Sequence, residues 1–122
     1  MSVADIVRLD SACVLDERAE VADEKRIEGD PVQWLHNAYS DPGKRFHVGI
    51  WEGGVARWRV TYTEHEFCHI LAGRLRLSDA QGSAVEFGAG DSFVIPAGFN
   101  GIWESLERTR KIYVIYEPSA AA

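Results

Sequence analysis

From Val32 onward, aromatic and β-branched residues come in short runs separated by Gly, Pro, Asp and Asn, which predicts many short strands rather than helices. The runs cover residues 32–39, 46–52, 55–62, 66–78, 84–87, 92–95, 101–105 and 111–117. Between them lie turn sequences such as Asp41-Pro42-Gly43, Gly53-Gly54 and Pro96 to Asn100, rich in residues that accept tight or positive-φ backbone. Spacing of this kind suits an all-β barrel or jelly roll. The first 26 residues are polar and charged, with a weak helical look over 16–25, and form an expected irregular N-terminal arm. Residues 27–118 would be the barrel and 119–122 a disordered tail. No internal repeat or low-complexity segment interrupts this order.

Alternation with period two sorts the side chains of a strand onto two faces. Over 55–62 it places Ala56, Trp58, Val60 and Tyr62 on one face and Arg57, Arg59 and Thr61 on the other. In the next run Glu66, Cys68 and Ile70 share a face, with His69 on the opposite one. After Pro96-Ala97-Gly98, Gly101, Trp103 and Ser105 alternate with Ile102 and Glu104.

Composition narrows the function classes. A chain of 122 residues makes one domain and buries roughly two thirds of its unfolded surface. Hydrophobic residues make up 46% and charged ones 26%, and mean hydropathy is -0.19, which leaves no room for a membrane-spanning segment. Asp5, Arg8 and Asp10 break the only apolar stretch near the start, so no signal peptide is expected and a cytoplasmic location is. Two cysteines, Cys13 and Cys68, are too few for a disulfide framework and are expected as reduced thiols. A net charge of -6 and a pI near 5.1 disfavour a nucleic-acid partner, which needs a basic face.

One motif competes with this reading. His65-Glu66-Phe67-Cys68-His69 spells HExxH, the zinc-protease signature. That chemistry needs a helix, on which residues four apart lie one turn above each other and reach the same ion. On a strand the same four residues span about 13 Å, too far for two rings to share one zinc at bonds of roughly 2 Å. The flanking sequence alternates as a strand does, so the match reads as accidental.

A second frame fits better. Glu66 is followed by six residues and Gly73, and Gly90, Pro96 and Gly98 keep the spacing of G(X)5PXG. These are the spacings of the two cupin signatures. Together with His47 to Glu52, Leu71 to Leu75, Gly90 to Phe99, Trp103-Glu104 and Arg110 to Tyr113, the chain from 46 to 117 resembles the cupin_3 (DUF861) family. The resemblance implies an RmlC-like double-stranded β-helix, usually a homodimer, and most members of the family have no assigned reaction. Relatives include ureidoglycine aminohydrolase, a manganese-dependent bicupin, and the ethanolamine-utilisation cupin EutQ. Of four usual metal ligands only Glu66 is kept. The two histidine places of the first signature hold Val60 and Tyr62, and the His and Asn places of the second hold Gly101 and Ser105.

In such a barrel the face carrying Trp58, Val60 and Tyr62 turns inward, as do Glu66 and Trp103. Glu66 could act as a general acid or base, or be locked by an arginine or by backbone donors as a structural residue. Tyr62 could offer its phenol to a substrate or simply fill the core. Lys111, which the resemblance includes, could reach over the pocket as an anion clamp or sit on a solvated face. Glu66, Tyr62 and Lys111 are therefore the candidate catalytic residues. Trp51, Trp58 and Trp103 could form an aromatic floor, and His65, at the turn beside Glu66, is a further candidate ligand contact. Cys68 reads as a small core residue, since no base partners it. The facing of His36 and His47 is left open, and either could stand in for a missing ligand.

Two functions follow. One is a small-molecule-binding cupin with no metal or other cofactor, holding a polar or anionic metabolite, with catalysis left open. The other is a metal-dependent hydrolase or isomerase, of the ureidoglycine aminohydrolase kind, with a non-standard ligand set such as Glu66 plus His47 or His36 around Mn or Zn.

Overall fold

The computed structural model describes residues 1–118, so the expectation of a disordered 119–122 tail falls outside the described residues. Eleven strands form two antiparallel sheets. In chain order they are β1 (Glu17–Glu20), β2 (Arg26–Gly29), β3 (Val32–Ser40), β4 (Phe46–Gly53), β5 (Ala56–Thr61) and β6 (His65–Ala72). They continue with β7 (Arg74–Asp79), β8 (Ala84–Gly88), β9 (Ser92–Ile95), β10 (Asn100–Ser105) and β11 (Thr109–Tyr116). One sheet has the order β1-β3-β4-β11-β6-β9 and the other β2-β5-β10-β7-β8, the two faces of a jelly-roll barrel.

Strand alternation builds the core between them. Trp58, Cys68, Ile70, Leu75, Leu77, Ile95 and Trp103 meet there, each buried, while Arg57, Arg59 and His69 lie on the other faces of the same strands. β11 lies centrally in its sheet, paired with β4 and β6. Its inward set is therefore Lys111, Tyr113 and Ile115. This placement of a lysine on an inward parity decides the chemistry of the site.

Two local expectations are corrected. The stretch 16–25 is not helical: β1 pairs with β3 from Glu17↔Leu35 to Glu20↔Val32, and a short 3-10 turn follows at Asp23–Lys25. Polar side chains are tolerated on an edge strand, and the free backbone edge of β3 outweighs a weak local helical preference. The run 66–78 is two strands in different sheets, divided at Gly73. Its φ of +88° turns the chain from one sheet to the other, a conformation L side chains rarely adopt.

The first residues cross the outer face of the six-stranded sheet. Arg110 fastens them there, donating from Nε to the Ser11 carbonyl at 3.0 Å and from Nη2 to the Cys13 carbonyl at 2.7 Å. Among the described residues, no helix is long and apolar enough to cross a membrane.

Candidate functional site

A cavity of about 680 Å³ opens between the sheets at the end where β1, β3, β5 and β11 come together. Its inner wall carries Glu66, Lys111, Tyr113, Trp51 and Trp58, each from an inward position of its strand, and Tyr62 just past the end of β5.

At its centre is an ion pair. Lys111 Nζ donates to Glu66 Oε2 at 2.6 Å, and both residues are only 6% exposed. The pairing of β11 with β6, Lys111↔Ile70 and Ile115↔Glu66, brings the two side chains together along neighbouring strands. Lys111 Nζ also lies 4.4 Å from the Trp103 ring centre and 4.9 Å from that of Trp51. The ammonium is thus held by one carboxylate oxygen and two indole faces, as a bound cation would be. Burial alone would push its pKa down; the surrounding groups, Cys68 and then Glu66 and Tyr62, reverse that and hold it above the ordinary lysine value.

The same oxygen receives a second contact. Cys68 Sγ donates to Glu66 Oε2 at 3.0 Å, which leaves Oε1 as the oxygen offered to the cavity. Burial pushes the Cys68 thiol up to about 12, partly opposed by Lys111, so it stays protonated near neutral pH. Tyr62 is likewise raised by burial, and its ring packs at 6.3 Å against Phe99. Its hydroxyl is a neutral donor or acceptor beside the pair.

The cavity wall fixes two more polar edges. Trp51 Nε1 donates to Gln33 Oε1 at 2.7 Å, and Tyr113 Oη donates to Asn37 Oδ1 at 2.8 Å. Asn37 Nδ2 in turn donates to Ser40 Oγ at 2.8 Å and to the Tyr39 carbonyl at 3.3 Å. Trp103 Nε1 is committed to Ser105 Oγ at 3.0 Å.

These pKa shifts predict an alkaline instability. Cys68 moves from 9.0 to about 12 and Tyr113 from 10.0 to about 12, both chiefly through burial, so the fold holds their protons more tightly than the unfolded chain does. Their contribution is intact below pH 9 and is lost as pH rises through the window from about 9 to 12. Thermal midpoints should be flat from pH 7 to about 8.5 and fall above it, and Cys68→Ala should flatten the first part of that fall. A fall that begins below pH 8 would contradict the assignment.

The sequence-based candidates divide. Glu66, Lys111, Tyr62, Trp51, Trp58 and Trp103 all line the cavity. The tryptophans form one cluster, with centroids 5.5 Å apart for Trp51 and Trp103 and 6.3 Å for Trp58 and Trp103. Two of their faces serve Lys111, so the expected open aromatic floor is largely occupied from within. Lys111 itself is an internal partner of Glu66 rather than a clamp reaching over the pocket.

His65 does not join them. It has the opposite parity to Glu66, accepts from the Ala97 backbone N–H at 3.0 Å and stacks on Tyr116 at 6.3 Å, outside the cavity. His36 faces outward to Asp16 at 3.2 Å. His47 reaches the cavity edge, where Nδ1 meets Ser40 Oγ at 2.7 Å and Nε2 meets the Lys44 carbonyl at 3.1 Å. Gln33, Asn37 and Tyr113 were not singled out by sequence, although the parity of β3 and β11 places them with Leu35 and Lys111.

The metal ion common in this architecture does not fit these residues. Among the described residues, no three His, Cys, Asp or Glu side chains stand close enough together to hold one. The second-signature histidine place, Gly101, cannot carry a side chain without moving backbone, because a Cβ there would enter the Ser78 carbonyl oxygen and the Phe99 ring. A divalent ion at Glu66 would also share its carboxylate with the Lys111 ammonium, and like charges in a buried site repel strongly.

Comparison with known proteins agrees with the architecture. The EutQ-like cupin domain family, Cupin_3, matches residues 40–113. A protein of unknown function of the DUF861 family from Pseudomonas syringae pv. tomato superposes with a TM-score of 0.81 at 23% identity. That match covers 88% of this chain and 46% of the other, so this chain spans less than half of that protein. The EutQ protein of Clostridium difficile gives a TM-score of 0.65 at 20% identity, covering 83% and 76%. A DUF861 protein from Thermotoga maritima is 33% identical over 52% of this chain and 73% of its own, with a TM-score of 0.51. At 20 to 23% identity, the first two likenesses show the fold alone. No curated protein sequence matches significantly. The family match over residues 40–113, on an eleven-stranded two-sheet barrel, shows that this chain belongs to the EutQ-like cupin domain family.

Proposed function

We propose that this cupin binds a small polar metabolite in the cavity between its sheets and that the Glu66–Lys111 pair, rather than a metal ion, is the polar centre of the site. The observation that carries this reading is the Lys111 ammonium at 2.6 Å from Glu66 Oε2, seated over two tryptophan rings. A carboxylate that would serve a cupin metal as ligand is here neutralised by a side chain of the same protein.

The arrangement supports proton transfer as well as binding. Paired through Oε2 with the Lys111 ammonium, Glu66 offers Oε1 to the cavity as a hydrogen-bond and proton acceptor. Tyr62, held as a neutral phenol beside the pair, supplies a donor to the same cavity. A ligand seated between them meets an acceptor that can take a proton and a donor that can stabilise charge developing on an oxygen. The metal-dependent reading has no comparable support, since neither His36 nor His47 belongs to a metal-holding group with Glu66.

Incubation with fractionated small-molecule extract, followed by native mass spectrometry, tests this directly. Wild-type protein should retain one ligand per chain, Glu66→Gln should lose it, and His65→Ala, altered outside the cavity, should keep it. Retention by Glu66→Gln together with loss by His65→Ala would overturn the assignment.

A further inference from the structure

We infer that the ligand of this cavity is uncharged and binds by donating hydrogen bonds, as the hydroxyls of a polyol or the N–H groups of a urea or amide do. This rests on the cavity being the binding site and goes further, by reading which hydrogen-bonding capacity its wall leaves unspent.

Two amides are locked by partners that permit only one orientation. An indole N–H can only donate, so the atom of Gln33 that meets Trp51 Nε1 is the oxygen, and the Gln33 NH₂ is left over. A backbone carbonyl can only accept, so the atom of Asn37 that meets the Tyr39 carbonyl is the nitrogen, and its oxygen faces Tyr113. Tyr113 therefore spends its proton on Asn37 and turns lone pairs toward the cavity. Glu66, with Oε2 taken by Lys111 and Cys68, turns Oε1 the same way. Of the groups whose polarity is fixed, Glu66 Oε1 and Tyr113 Oη accept, and the Gln33 NH₂ donates to a ligand that also carries an acceptor, as a hydroxyl or a carbonyl does.

Charge points in the same direction. Among the described residues Lys111 is the one cation on the inner wall, and its N–H groups are directed to Glu66 and to the Trp51 and Trp103 faces. An anionic ligand finds no free cation at depth and meets Glu66 Oε1 instead. A cationic ligand would sit beside an ammonium that already neutralises that carboxylate. At the rim, Glu17, Glu20 and Glu64 outnumber Lys25 and Arg59, which adds to the barrier against anions. An uncharged molecule with at least two donors, one for Glu66 and one for Tyr113, satisfies the wall at least cost.

NMR titration of the full chain with four probes, followed on the tryptophan indole N–H signals, decides the matter. Methylurea and erythritol carry donors, tetramethylurea is a urea with none, and succinate is a dianion. The expected result is saturable shifts with methylurea or erythritol and none with tetramethylurea or succinate, the responding member naming the subclass. Tyr113→Phe should weaken that binding by about five- to tenfold, the ordinary effect of losing one hydrogen bond. If that variant does not fold, the ranking of methylurea over tetramethylurea on the wild-type chain decides alone. Tighter binding of succinate or equal binding of tetramethylurea overturns the inference while leaving the cavity a binding site. No response to any probe overturns the inference and the reading of the cavity together.

Discussion

Lys111→Met should destabilise the protein by about 3–5 kcal/mol, because it leaves the Glu66 carboxylate buried without its counter-charge. The substitution keeps the length and most of the volume of the side chain, so lost packing contributes little. Both partners are 6% exposed, so solvent cannot step in to replace the ammonium. A domain of this size has about 5–15 kcal/mol in all, and such a loss puts a large fraction of the chains near unfolding at 37 °C. Adding Glu66→Met to Lys111→Met removes the stranded charge, and the double variant should recover to within about 2 kcal/mol of wild type. Chemical denaturation of the four proteins gives the coupling directly. Additive losses would mean that the two side chains do not act as a pair.

Gly73→Ala is the second large effect. At φ of +88° an alanine is strained, and its Cβ would be driven into the Arg108 carbonyl oxygen where β6 hands over to β7. Strain of that kind costs about 1–3 kcal/mol and overpacking against backbone a similar amount, so the expected loss is about 2–5 kcal/mol. Gly82→Ala is the control: its φ is +85° but nothing stands within 4 Å of an added Cβ. It should lose only the strain, and the difference between the two variants in urea denaturation isolates the close approach. Equal losses would place the whole effect in the backbone angle.

The strands of this barrel were legible wherever a run alternated between two differently used faces, as β5 does with Ala56 and Trp58 against Arg57 and Arg59. β1 and β2 were hidden because Glu17, Arg18 and Glu20 carry no apolar alternation; an edge strand held by backbone pairing leaves little trace in side chains. The passage from one sheet to the other within 66–78 rested on Gly73 alone, and a single glycine in an apolar run is ambiguous. At the site, parity placed Glu66, Tyr62 and Trp103 inward. It could also have separated His65 from Glu66, since neighbours on a strand face opposite ways. What parity could not give was the partner of Glu66. Lys111 lies 45 positions away, and only the pairing of β11 with β6 sets it against the carboxylate. Its place in the alternating set Lys111, Tyr113, Ile115 was the available sign.

In this protein, we propose, an ammonium group of its own stands where a cupin would hold a metal ion. Elemental analysis by inductively coupled plasma mass spectrometry, on chain purified without an affinity tag or chelator and titrated with Mn and Zn, measures it most directly. Wild type should carry no stoichiometric transition metal and show no saturable uptake of Mn or Zn. One Mn or Zn per chain, lost on Glu66→Gln, would contradict it.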